Sequence, residues 1–149
     1  MNLFLAFFLL LSPPQQEEDI EVIFVVDSSN SMKRNAPSDL RTQIPGAMVD
    51  FLGRKRPVIA SVLQFAGWNE SQKKRIVLLS RQTDAEKVTA SLKSISAFGD
   101  ASDINVPFEM GIPKILEERK KAGTQGPLWI VVLTDGEFDV IEESDIRPE

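Results

Sequence analysis

The chain has 149 residues, 42% of them hydrophobic and 26% charged, which is enough apolar content for one domain with a real core. Its formal charge of -5 argues against a nucleic-acid binder, because the basic runs at 33–34, 54–56, 73–75 and 119–121 are scattered and form no stripe. With no cysteine and no histidine, it can have no disulfide, thiol catalysis, zinc–thiolate site or histidine base, so metal or acid–base chemistry must use carboxylates, hydroxyls and lysine.

Taken in chain order, residues 1–12 come first, with an unbroken apolar run from Leu3 to Leu11 that is too short to span a bilayer alone. Followed by Pro13-Pro14, it fits a signal-peptide-like or membrane-anchoring segment, although no Lys or Arg precedes it. The expectation is a protein exported or anchored at the cell envelope, periplasmic or extracellular, with residues 13–19 as a polar linker into a domain over 20–149. An apolar tail packed on the domain is the competing explanation.

Ile20 to Val26 is a near-continuous apolar, β-branched run, as expected of a strand covered on both faces. A helix is predicted from Pro37-Ser38 onward, with Leu40, Ile44, Met48, Phe51 and Leu52 recurring at helical spacing and Pro45-Gly46 kinking or dividing it. Val58–Phe65 and Ile76–Leu79 read as strands, joined through a loop with Trp68 and an Asn69-Glu70-Ser71 sequon to which no function is attached. That connection is too short for a crossover helix, so the two strands should be antiparallel.

Thr83-Asp84-Ala85-Glu86 has the form of a capping box, with Thr83 as the cap, before a helix burying Val88, Leu92 and Ile95. After a loop over Ala97–Ser102 comes a helical segment from about Ile104 to Lys121. Its expected buried stripe is Ile104, Phe108, Ile112, Ile115 and Leu116, interrupted by Pro107 and Pro113 and stopped at Gly123. Leu128–Leu133, "LWIVVL", is the fourth strand, and its Trp129 is expected in the core with the other aromatics. Apolar strands alternating with amphipathic helices predict a layered α/β domain, its sheet mainly parallel with one antiparallel edge strand and helices on both faces.

The chemistry-bearing residues collect where strands end. The first strand runs into "DSSNS", Asp27 to Ser31, and the fourth into "TDGEFD", Thr134 to Asp139, with "DASDIN", Asp100 to Asn105, between them. In an open α/β sheet, ligands sit beyond the carboxyl ends of the strands. If the first and fourth strands are neighbours, Asp27 and Asp135 face one crevice. With Ser29, Ser31 and Ser102 they make an oxygen-only donor set suited to Mg²⁺, Mn²⁺ or Ca²⁺. Taken singly, Asp27 reads as a strand-end acid satisfying loop amides and the serines as turn formers. The combination is what points to a cation.

These motifs resemble those of the von Willebrand factor type A domain family. "DSSNS" resembles its D-x-S-x-S motif, "LTDGEFD" its T-D-G segment, and "ASDIN" its middle motif. The resemblance implies a three-layer Rossmann-like fold and a metal-ion-dependent adhesion site. It makes Ser29, Ser31 and Ser102 hydroxyl ligands, with Ser102 in place of the customary threonine, and Asp27 and Asp135 ligands directly or through water. Asp103 is expected as a helix cap or an outer charge. One coordination position would take a carboxylate from a partner protein, making this a binding module and not an enzyme. Ala101 departs from the family's usual glycine. The chain also ends at Glu149 without the last two strands and final helix of the usual domain, which would leave the edge at 128–134 for another chain to cover.

Two other readings stand beside this one. A haloacid-dehalogenase-like, Mg²⁺-dependent phosphatase would use Asp27 as nucleophile. Its general-acid position, however, holds Ser29, which cannot protonate a leaving group at neutral pH. The other is a metal-free structural domain of the same family.

Overall fold

The computed structural model describes residues 18–35, 40–66, 75–93 and 102–135. The apolar N-terminal segment, Trp68, the sequon, Ile95, Ala101 and Phe138 lie outside them. Four strands form one sheet in the order β3-β2-β1-β4: β1 is Ile20–Asp27, β2 Val58–Ala66, β3 Arg75–Gln82 and β4 Leu128–Leu133. β1 runs parallel to both β2 and β4, and β2–β3 is antiparallel, as the short connection predicts. The α/β class and the mixed edge are therefore as expected, and β1 and β4 are indeed neighbours.

β1 is buried along all eight residues because helices cover it from both sides. On one face Val22, Phe24 and Val26 pack with Ala60 and Val62, against Val49 of α2 (Leu40–Gly53) and Val88 and Leu92 of α3 (Ala85–Lys93). On the other, Ile23 and Val25 pack with Leu63, Phe65, Val106 and Ile112 and Ile115 of α4 (Ile112–Lys121). The alternation of β1 side chains thus sorts the core into two halves.

Several local expectations need correcting. Pro45 and Gly46 do not divide α2, which runs unbroken through both. Gly46 instead lets α3 come close, since a Cβ there would collide with Thr89 Oγ1. Val49 is the buried anchor of α2, whereas Ile44 and Phe51 are exposed, Phe51 by 62%. Asp84, not Thr83, caps α3: its Oδ1 accepts the Glu86 and Lys87 backbone N–H groups at 2.8 and 3.3 Å. The helix begins one residue later than the box requires, so the short carboxylate sits at the cap.

The segment before α4 opens with a π-helical turn, Pro107–Gly111, closed by the Ile112 N–H on the Pro107 carbonyl. The wider turn shifts the helical register, so Phe108 and Leu116 come out exposed while Ile112 and Ile115 are buried. α4 ends as foreseen at Gly123, whose φ of +69° suits glycine. The Gly123 and Thr124 N–H groups return to the carbonyls of Lys120 and Arg119, a Schellman arrangement.

Two features escaped the sequence reading. A short helix, α1 (Asn30–Asn35), follows β1 immediately. And Glu21, inside the "apolar" strand, is fully buried between two guanidiniums: Arg81 donates to Oε1 at 2.6 Å and Arg119 to Oε2 at 2.8 Å. Arg81 also bonds Thr124 Oγ1 at 2.8 Å, and Arg119 the Gly126 carbonyl. Arg81 has φ of +46° where the β2–β3 register slips, a conformation costing a non-glycine residue roughly 1–2 kcal/mol. Its backbone N–H on Ser61 Oγ at 3.0 Å and its two side-chain bonds hold it there.

Among the described residues β4 has a neighbour on one side only. Trp129, expected in the core, is 44% exposed, and Ile130 and Val132 are exposed as well. The cause is topological: among the described residues no strand pairs with the outer edge of β4.

Candidate metal centre

The site forms where β1 leaves the sheet. The ladder with β2 holds to Asp27↔Phe65, and the Ser28 N–H still reaches the Phe65 carbonyl at 2.8 Å. Then Asp27 Oδ1 accepts the Ser29 N–H at 2.9 Å. This side-chain-to-backbone turn replaces the next ladder bond and swings the chain into α1. The turn brings the Ser29 and Ser31 hydroxyls within 2.9 Å of each other. The spacing of acid and hydroxyls at alternate positions therefore has a geometric purpose.

Ser102 arrives from the far side of the sheet's carboxyl edge and donates its hydroxyl hydrogen to Asp27 Oδ2. It is fixed there by the turn that follows. Asp103 Oδ1 accepts the Asn105 N–H at 3.0 Å, the Asp103 carbonyl accepts the Val106 N–H at 3.2 Å, and Val106 is sunk in the core. Asp103 thus does the local capping expected of it.

β4 supplies the third side. Its last ladder pair is Val26↔Leu133, so Thr134 draws level with Asp27. The Thr134 hydroxyl donates to Asp27 Oδ2 at 3.1 Å. Sequence reasoning passed over Thr134 because it looked for cation ligands, whereas this hydroxyl serves the carboxylate. The register of the parallel pair was the signal that could have found it. Asp135 follows directly, half-buried.

Asp27, Ser29, Ser31 and Ser102 are 0, 1, 9 and 1% exposed. Among the residues whose side chains are described, Asp27 is met by one amide and two hydroxyls, all neutral. Burying a charge without an ionic partner is expensive. Ser28 Oγ, beside it, is buried with no hydrogen-bond partner. Three serine hydroxyls and the Asp27 carboxylate gather here, and Asp135 follows Thr134 in the chain; with no nitrogen or sulfur donor, the set fits the hard divalent cation the motifs imply. No three acidic side chains gather among the described residues, so this would be a hydroxyl-rich site, not a carboxylate cage. A cleft of about 370 Å³ lies elsewhere, between Val49, Arg54, Pro57 and Thr83 toward the opposite end of the sheet.

An open, mainly parallel sheet covered by helices on both faces, with the buried Asp27 cluster at its carboxyl edge, defines an α/β domain of the Rossmann-like type. A sequence model of the von Willebrand factor type A domain matches residues 22–137, which run from Val22 within β1 past the end of β4 and include Asp27, Ser29, Ser31, Ser102 and Asp135. The chain belongs to that family, whose domains are commonly protein-interaction modules. No curated protein matches it.

Proposed function

We propose that this domain is a divalent-cation-dependent protein-binding module. Ser29, Ser31, Ser102, Asp27 and Asp135 would hold Mg²⁺, or Mn²⁺ or Ca²⁺, at the carboxyl edge of the sheet. The bound cation would offer an open position to an acidic group of a partner protein. The observation that carries the reading is the fully buried Asp27 carboxylate, answered among the described side chains by neutral donors alone. A cation beside it offsets that charge and puts one positive spot on an acidic chain.

Each residue has a role in its own right. Asp27 turns the chain at Ser29 and receives the Ser102 hydrogen, so the Ser102 hydroxyl is held beside the carboxylate that would share the cation. Ser29 and Ser31 present two hydroxyls side by side, and Asp135 adds the second negative charge. Membership of a family of interaction modules supports binding over catalysis and does not favour the phosphatase alternative. Export or membrane attachment through residues 1–12 belongs to the same proposal, as does a further chain covering the open edge of β4. Among the described residues no helix is long and apolar enough to cross a membrane.

The test is thermal unfolding of the full chain in EDTA and then with rising Mg²⁺, Mn²⁺ or Ca²⁺. A cation bound only by the folded state adds about 2.7 kcal/mol at a hundred times its dissociation constant. A midpoint that rises for wild type but not for Asp27→Ala supports the site. A cooperative transition indifferent to all three ions rejects it in favour of a metal-free scaffold.

A further inference from the structure

We propose that Thr134 is a positioning residue of this site, and that through it cation binding is linked to the docking of edge strand β4. The inference rests on the cation-binding reading above and adds a residue and a consequence to it.

Two hydroxyls, from Ser102 and Thr134, converge on the single oxygen Oδ2 of Asp27, while Oδ1 takes the Ser29 N–H. The orientation of the carboxylate is therefore set from three separate stretches of chain: the loop after β1, the segment before Val106, and the end of β4. Remove the β4 contribution and Oδ2 keeps one hydroxyl donor. The carboxylate can then rotate about its own axis, and the Ser29 turn and Ser102 hydroxyl that depend on it lose their common reference. Partners of this kind, one bond removed from a metal, typically set its affinity within a factor of 10–100.

The same bond matters to β4. Among the described residues that strand pairs with β1 alone, and its Trp129, Ile130 and Val132 are exposed. It is tied at its entry, where the Glu21 N–H reaches the Pro127 carbonyl at 2.9 Å, and at its exit by the Thr134 hydroxyl. If a cation favours the arrangement in which Thr134 holds Asp27, thermodynamic reciprocity requires that a docked β4 favours the cation by the same factor. An edge strand with one neighbour is where local opening is easiest, so the effect should be visible there first.

The experiment uses the full chain and Mn²⁺ as the probe, its binding followed by electron paramagnetic resonance, together with amide hydrogen exchange over residues 128–133. Wild type, Thr134→Val and Thr134→Ser are compared after their unfolding midpoints are matched in EDTA. Thr134→Val should weaken Mn²⁺ binding about 10–100-fold, and Thr134→Ser, which restores the hydroxyl, should stay close to wild type. Mn²⁺ should slow exchange in β4 for wild type and Thr134→Ser but not for Thr134→Val. Equal affinity in wild type and Thr134→Val overturns the inference while leaving the site standing. So does β4 exchange in wild type that ignores saturating Mn²⁺, a result that needs no variant to fold. Failure of wild type itself to bind Mn²⁺ removes the cation-binding reading, and this inference with it.

Discussion

Strand β1 carries a buried acid near each end, and the two are treated in opposite ways. Glu21, at the entry, lies between the guanidiniums of Arg81 and Arg119, at 2.6 and 2.8 Å. Asp27, at the exit, is equally buried but meets an amide and two hydroxyls. Both acids sit in the middle of the sheet, and both are satisfied in hydrogen bonds. Among the described side chains, only Glu21 is also satisfied in charge. Counting hydrogen bonds alone would rate them alike; counting charge separates a structural clamp from the acid that the proposed cation would neutralise.

The comparison can be broken by neutralising each acid in turn. Glu21→Gln leaves two arginines facing each other across a buried amide. Breaking such a group from one side costs about 3–5 kcal/mol, so the urea midpoint should fall sharply, with or without divalent cation. Asp27→Asn in EDTA should cost no more than about 1.5 kcal/mol, the scale of a neutral hydrogen bond. If Asp27→Asn proves the more damaging in EDTA, the contrast drawn here is wrong.

Adding cation should close most of the gap between the two variants. At a hundred times the dissociation constant, wild type and Glu21→Gln should each gain about 2.7 kcal/mol, and Asp27→Asn should gain nothing. A cation-induced shift that survives in Asp27→Asn would mean that the ion sits elsewhere. The smallest effect serves as a control remote from both acids. Asp84→Ala removes the cap of α3 and should cost about 1 kcal/mol, with the cation response unchanged by titration calorimetry.

How far the sequence carried this picture depended on the range of the signal. β1, β2 and β4 were legible because a strand buried on both faces is an unbroken apolar run, and Asp27, Ser29 and Ser31 because they crowd into five positions. Helix faces were harder. Phe108 and Leu116 fit a 3.6-residue stripe on paper, but a π turn before Ile112 moved them to the surface. Pro45 looked like a break, yet α2 accommodates it. Glu21 was overlooked because its partners stand 60 and 98 residues away along the chain, and no local pattern announces them. Thr134 was overlooked for the same reason, its meaning resting on the register of β4 against β1. Trp129 was assigned to the core on residue type alone, whereas its exposure depends on what lies beside β4.

The direction of β1 sets how the crevice is presented. The strand enters at Ile20 and leaves at Asp27, so the crevice lies about 20 Å from the entry of the strand, at roughly 3.3 Å per residue. The two ends of β1 therefore lie on opposite edges of the sheet, and a support attached at the Ile20 edge leaves the edge that carries Asp27 facing away from it.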